Sequence, residues 1–128
     1  MTSMQHPKWR VLLLGGVSGT GKSTVARAMI RALGVTWVQV DDLRLTLERS
    51  LPALPPGMEP LAFFHQPDVW SRSAEAICDG LIRVGDVMAP SIEAVTENHD
   101  DQGDPAIVEG DGILPTLFAR PSIQQRVA

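Results

Sequence analysis

One octet near the N-terminus constrains the fold more than any other feature of the chain. Residues 16–23 read Gly-Val-Ser-Gly-Thr-Gly-Lys-Ser, which fits the pattern G-x-x-x-x-G-K-[ST]. The apolar run Val11–Leu14 precedes it and is typical of a buried parallel strand, and a helix-forming stretch follows at 24–33. Because strand, glycine loop and helix is the arrangement that this motif requires, the sequence predicts a P-loop that wraps around a phosphate group.

The chemistry of the motif assigns a role to each part of the loop. Its three glycines allow successive main-chain N–H groups to turn toward one anion, and the following helix adds the positive end of its dipole. Lys22 offers a mobile charge to the β- and γ-phosphates of a nucleoside triphosphate, and the Ser23 hydroxyl is placed to bind Mg²⁺. The predicted nucleotide-binding residues are Gly16, Val17, Ser18, Gly19, Thr20, Gly21, Lys22, Ser23 and Thr24.

The charge is unevenly divided along the 128 residues. Residues 1–50 hold seven Lys and Arg against three acids, and residues 51–128 hold four against twelve. The basic half contains the glycine loop, as a polyphosphate site requires, and the acidic half argues against binding of nucleic acid. The single cysteine and the absence of a secretory signal or a long apolar span favour a cytoplasmic protein that does not enter a membrane.

Hydrophobic periodicity predicts an α/β protein with a parallel sheet flanked by helices, the three-layer P-loop fold, incomplete at the C-terminus. Residues 1–8 are predicted to form a flexible tail, and 9–128 the core. Residues 51–67 carry five prolines and are predicted to form a substrate flap without a regular helix or a central strand. The predicted elements are strands at 9–15, 35–40 and 106–109, helices at 22–33 and 43–50, and one kinked helix or two consecutive helices within 68–99.

Polar residues follow each predicted strand, and in a parallel sheet ligands bind at those carboxyl ends. After strand 2, Asp41 is placed to accept a proton from a substrate hydroxyl, and Arg44, one helical turn later, to bind an anionic group on the acceptor. Asp42 is predicted either to hold an Mg²⁺-bound water or to cap the next helix. After strand 3, Glu109 is a candidate for the same Mg²⁺, and Asp111 stays open between the site and a surface turn.

Three stretches resemble P-loop small-molecule kinases, with the closest likeness to 2-phosphoglycerate kinase-like proteins. They are 15–24, Val40-Asp-Asp-Leu-Arg44 and 107–115. The resemblance implies that Lys22 and Ser23 bind ATP and Mg²⁺, and that Asp41 and Arg44 act on a small-molecule phosphate acceptor. Those kinases usually carry a histidine after Glu-Gly-x, and Asp111-Gly112-Ile113 departs from this, which bears on the acceptor and not on the kinase class.

The resemblance also implies a lid helix and further strands after the third strand, whereas this chain reaches its last residues where a fourth strand is expected to begin. We therefore expect a truncated kinase with little turnover of its own, or a homodimer formed through the exposed sheet edge. Two other functions stay open: an ATPase or GTPase switch module, and a non-catalytic nucleotide-binding remnant. A GTPase needs D-x-x-G after strand 3, and Glu109-Gly-Asp-Gly112 does not supply it.

Overall fold

A computed structural model describes residues 7–127, so most of the predicted tail at 1–8 lies outside the described residues. Within them the chain alternates strands and helices, joined by three short 3₁₀ helices. In chain order the elements are β1 (Val11–Leu14), α1 (Lys22–Leu33), β2 (Thr36–Gln39), α2 (Val40–Ser50), 3₁₀ helices at Glu59–His65 and Val69–Ser71, α3 (Ala74–Gln102), β3 (Ala106–Glu109), a 3₁₀ helix at Pro115–Ala119 and α4 (Pro121–Gln124).

The three strands form one parallel sheet in the order β1-β3-β2. All four residues of the central strand β3 are buried, and Leu14 and Gln39 both lie opposite Glu109 at its carboxyl end. Successive side chains of β3 point to opposite faces. Ile107 packs with α1, and Val108 packs with α3, so helices cover both faces of the sheet.

The two edges of the sheet differ among the described residues. The outer edge of β2 has no paired strand, whereas Val127 forms a parallel bridge with Val11 on the outer edge of β1. This bridge lies where the sequence predicts the start of a fourth strand. Pairing of two copies through an exposed edge stays a prediction.

The helix after β2 begins three residues earlier than predicted. It starts at Val40 and not at Leu43, so Asp41 and Asp42 lie in its first turn and do not end a strand. Carboxylates are favourable at this position because they face the positive end of the helix dipole. The Val40 side chain is buried in the core, which ties the start of α2 to the sheet.

Two further expectations need correction. The flap at 51–67 was predicted to lack regular helix, but Glu59–His65 is a 3₁₀ helix whose proline, Pro60, lies in the first turn, where a missing N–H costs nothing. Of the two alternatives predicted within 68–99, the structure has the single helix, α3, but its bounds differ: it runs through Pro90 from Ala74 to Gln102. Within residues 7–127, no helix is both long and apolar enough to cross a membrane.

Candidate functional site

A polar cavity of about 400 Å³ opens at the carboxyl ends of the three strands. The glycine loop forms one wall, and the ends of β2 and β3 with the start of α2 form the other. Its lining residues are Ser18, Gly19, Gly21, Lys22, Ser23, Thr24, Gln39, Asp41, Glu109, Gly110 and Asp111. The structure therefore brings together most of the predicted nucleotide-binding residues with Asp41 and Glu109.

The backbone of the loop has the conformation that its glycines permit. Gly16, Gly19 and Gly21 all have positive φ, at 135°, 81° and 90°. A Cβ atom at Gly19 or Gly21 would meet no other atom within 4 Å. Glycine is therefore required here for the backbone conformation and not for lack of space. Helix α1 begins directly afterwards at Lys22 and carries no acidic residue in its first turn, so its positive end faces the loop without compensation from its own side chains.

The Lys22 side chain folds back over the loop and is only 9% exposed. Its Nζ donates a hydrogen bond to the Val17 carbonyl oxygen at 2.8 Å and lies 2.7 Å from Oδ1 of Asp111. The Thr20 hydroxyl donates to the same carbonyl at 2.7 Å. The ammonium group is thus held inside the curve of the loop, where a phosphate group would meet it.

Ser23 and Glu109 approach each other across the sheet edge. The Ser23 hydroxyl donates to Oε1 of Glu109 at 3.3 Å, and Glu109 is 5% exposed. A buried carboxylate with one hydroxyl partner retains free oxygen lone pairs. Oxygen ligands of this kind suit Mg²⁺, which retains several waters when protein and phosphate share its coordination. The two residues therefore fit a magnesium ion that arrives with a nucleotide.

The charge of the cavity also favours a magnesium ion that arrives with a nucleotide. Among its described lining residues, Lys22 is the one cation, against the three carboxylates of Asp41, Glu109 and Asp111. A polyphosphate would meet net negative charge unless a divalent cation accompanied it. In the part of the chain that the structure describes, no cluster of three or more His, Cys, Asp or Glu side chains could hold a metal by itself. A metal here would depend on ligands from its phosphate partner.

A close backbone contact places Asp41 beside the end of β3. A Cβ atom at Gly110 would lie 2.6 Å from Cβ of Val40, so a glycine lets the start of α2 approach the strand. Asp41 then lines the cavity with a side chain that is 70% exposed. Asp42 is exposed and lies outside the lining residues, and its carbonyl oxygen accepts a hydrogen bond from Thr46.

Arg44 lies just behind Asp41, outside the cavity lining and 14% exposed. Its Nη2 is 3.5 Å from Oδ1 of Asp41, and its Nη1 donates to Oε1 of Glu48 at 2.8 Å. The guanidinium carbon lies 4.4 Å from the centre of the Phe64 ring. Asp41 and Arg44 therefore lie side by side, but only Asp41 lines the cavity, and Arg44 is held by partners that the sequence did not indicate.

Glu48 links α2 to the 3₁₀ helix Glu59–His65. Its side chain is 7% exposed, and Oε2 accepts a hydrogen bond from Nε2 of His65 at 2.9 Å. Burial raises the pKa of the Glu48 carboxyl, but the hydrogen bonds from His65 and Arg44 outweigh it and leave the pKa below the ordinary value of 4.5. Glu48 is therefore ionised at neutral pH and keeps a charge next to Arg44.

Gln39 and Gly110 line the cavity but were not among the predicted site residues. Asp111, which the sequence left open between the site and a surface turn, also lines the cavity. Of the later arginines, Arg120 pairs with Glu93, and Arg126 lies 3.3 Å from a carboxylate oxygen of Asp100. Neither arginine lines the cavity.

Comparison with known proteins places the chain near one group of kinases. It is 28% identical over 116 residues to a 2-phosphoglycerate kinase of Methanopyrus kandleri, covering 86% of this chain and 35% of that protein. It is 29% identical over 112 residues to a 2-phosphoglycerate kinase of Pyrococcus horikoshii, covering 82% and 36%.

The chain thus spans about a third of the length of the curated relatives it matches. No family model and no solved structure matches it. The likeness inferred from its three motif stretches is confirmed: over most of its length this chain resembles 2-phosphoglycerate kinases.

Proposed function

We propose that this chain is the nucleotide-binding part of an ATP-dependent phosphotransferase with a P-loop kinase fold. It transfers the γ-phosphate to a hydroxyl of a small molecule, of which 2-phosphoglycerate is the first candidate. The observation that carries the proposal is Lys22, whose Nζ lies inside the glycine loop at the mouth of a cavity shared with Asp41 and Glu109. The names of the two relatives support the same reaction class.

In the proposed reaction, the acceptor hydroxyl oxygen forms a bond to the γ-phosphorus while the bond from that phosphorus to the bridging oxygen breaks. ADP leaves with the released electron pair, and Asp41 takes the hydroxyl proton. Lys22 and the N-terminus of α1 stabilise the negative charge on the phosphate oxygens. Ser23 and Glu109 would hold Mg²⁺, which neutralises phosphate charge when bound.

The exposure of Asp41 suits this role, because a base must reach a substrate from a solvent-filled cavity. Arg44, 3.5 Å away, orients the Asp41 carboxylate and offers its outer N–H groups to an anionic group on the acceptor. A switch ATPase would need no such pair, since its nucleophile is water. The pair therefore favours transfer to an acceptor over simple hydrolysis.

A matched pair of lysine variants tests the proposal. Lys22→Ala is expected to weaken ATP binding and to lower any transfer rate by about 10²–10³-fold, because a charge aimed at the phosphates is lost. Lys8→Ala removes a lysine outside the cavity and is the control. Calorimetry with ATP and Mg²⁺, and a screen of phosphorylated glycerates, sugar acids and nucleosides for phosphorylation, supply the measurements.

Three results would count against the proposal. Unchanged ATP affinity in Lys22→Ala would show that the loop does not bind the triphosphate. ATP hydrolysis at one rate with every acceptor would favour a switch module. Tight ATP binding with neither hydrolysis nor transfer would favour a non-catalytic nucleotide-binding protein.

A further inference from the structure

Arg44 is restrained by several groups besides its ion pair with Asp41. Its side chain is 14% exposed and lies between α2, to which it belongs, and the 3₁₀ helix Glu59–His65, the next element of the chain. Its Nε is buried, and no hydrogen-bond partner for it is found among the described residues. An arginine that is restrained in this way cannot change its rotamer without losing its stacking and its ion pair.

Two contacts hold the guanidinium group in place, and a third holds one of its partners. Glu48 accepts a hydrogen bond from Nη1 at 2.8 Å, and the guanidinium carbon lies over the Phe64 ring, 4.4 Å from the ring centre. His65 donates to the second oxygen of Glu48 at 2.9 Å, which fixes the carboxylate in turn. With Nη1 engaged, the Nη2 side of Arg44 faces Asp41.

We propose that Glu48, Phe64 and His65 are positioning residues that preset Arg44 for the acceptor. The 3₁₀ helix Glu59–His65 thereby acts as a specificity element, although none of its residues lines the cavity that holds the phosphates. This inference rests on the proposed phosphotransferase function for its kinetic consequence. The contacts among Arg44, Glu48, Phe64 and His65 themselves do not depend on that function.

Restraint of the Arg44 side chain lowers the entropy cost of binding an anion. A free arginine side chain loses rotamer entropy each time it binds an anion, whereas a restrained one has already lost it. Glu48 binds Nη1, and the Phe64 ring lies next to the guanidinium carbon, so that Nη2 stays on the side of Asp41. With Nη1 on Glu48 and Nε buried, the restrained side chain offers an N–H of Nη2 to an anionic group on the acceptor, a carboxylate or a phosphate.

The test compares Glu48→Gln with Glu59→Gln in the full chain. Glu59 belongs to the same 3₁₀ helix but bonds to the backbone of Gly57, so its variant is a matched control. With 2-phosphoglycerate as acceptor, Glu48→Gln is expected to lower kcat/KM for the acceptor by about tenfold and to leave the KM for ATP unchanged. Phe64→Leu is expected to cost about threefold, and Phe64→Tyr to restore the wild-type value because it keeps the ring face.

A second measurement needs no turnover. The Nε–H proton of Arg44, followed by NMR, is expected to exchange slowly with solvent in the wild type and in Glu59→Gln, and at least about tenfold faster in Glu48→Gln. Equal losses for ATP and acceptor, or exchange unaffected by Glu48→Gln, would overturn the positioning role. If the wild type phosphorylates no acceptor, the proposed function fails, and the exchange rates alone decide whether Arg44 is preset.

Discussion

Two sides of the cavity, which we call the phosphate side and the Asp41 side, are formed by the chain in different ways. The phosphate side is one continuous loop, residues 16–23, which two distant carboxylates approach, Glu109 at Ser23 and Asp111 at Lys22. The Asp41 side needs α2, the 3₁₀ helix Glu59–His65 and the turn after β3, brought together by side-chain packing. Eight consecutive residues are enough to form a binding loop for a ligand that many proteins use, such as a triphosphate. A site for a particular acceptor depends on tertiary contacts.

The comparison is most sharply tested by two glycines with the same φ angle. Gly21 in the loop and Gly57 near the 3₁₀ helix both have φ of 90° and open space around the absent Cβ. Alanine at either position is expected to destabilise the fold by about 1–2 kcal/mol, because an L-residue is strained at positive φ. Only Gly21→Ala is expected to weaken ATP binding, by about 10²-fold, since the backbone next to Lys22 shifts.

Thermal denaturation and calorimetry of the two variants give the measurements. Equal losses of ATP affinity would show that the loop contributes stability alone and no phosphate contact. Such a result would remove the distinction between the two sides of the cavity.

A smaller effect is expected from the carboxylate that approaches Ser23 on the phosphate side. Glu109→Gln keeps the shape and the partner of Ser23 but removes the buried charge. The Mg²⁺ concentration needed for half-maximal ATP binding is expected to rise about tenfold, because one anionic partner of the ion is lost. Calorimetric titrations at several Mg²⁺ concentrations measure this.

Glu97→Gln, on α3 away from the cavity, is the control for that experiment. An unchanged Mg²⁺ requirement in Glu109→Gln would mean that Glu109 only orients Ser23. The phosphate side would then be complete within the loop itself.

The smallest expected effect is a pH dependence confined to the Asp41 side. The pKa of Glu48 lies below 4.5 in the folded protein, so its hydrogen bonds add stability above that pH and lose it as the pH falls through the folded value. Glu48→Gln is therefore expected to lower Tm at about pH 7, by an amount that shrinks as the pH falls below 4.5. A difference in Tm that stays constant from pH 7 into this acid range would contradict the ionic role of Glu48.

Sequence reasoning succeeded where short-range patterns determine the structure. The loop glycines, Lys22 and Ser23 follow from one motif, and the position of Glu109 follows from the strand that it ends. The predicted start of α2 was wrong because Val40 is apolar and β-branched. Such a residue suits a strand as well as the buried first turn of a helix.

The restraint of Arg44 could not be predicted for another reason. His65 lies 17 residues from Glu48, beyond any helical or strand spacing, in a segment whose prolines argued against regular structure. Asp111 was recognised as a candidate, but its contact with Lys22 depends on how the turn after β3 approaches the loop. Packing between segments decided both contacts.

The ion pair between Lys22 and Asp111 has a consequence for how a nucleotide would enter. The ammonium group already has a counter-charge at 2.7 Å, so an incoming phosphate exchanges one anionic partner for another and finds the lysine in place. Part of the attraction is offset by the aspartate that is displaced, and dissolved salt screens both contacts alike. Nucleotide affinity should therefore vary less steeply with ionic strength than it would for a solvated lysine without a carboxylate partner.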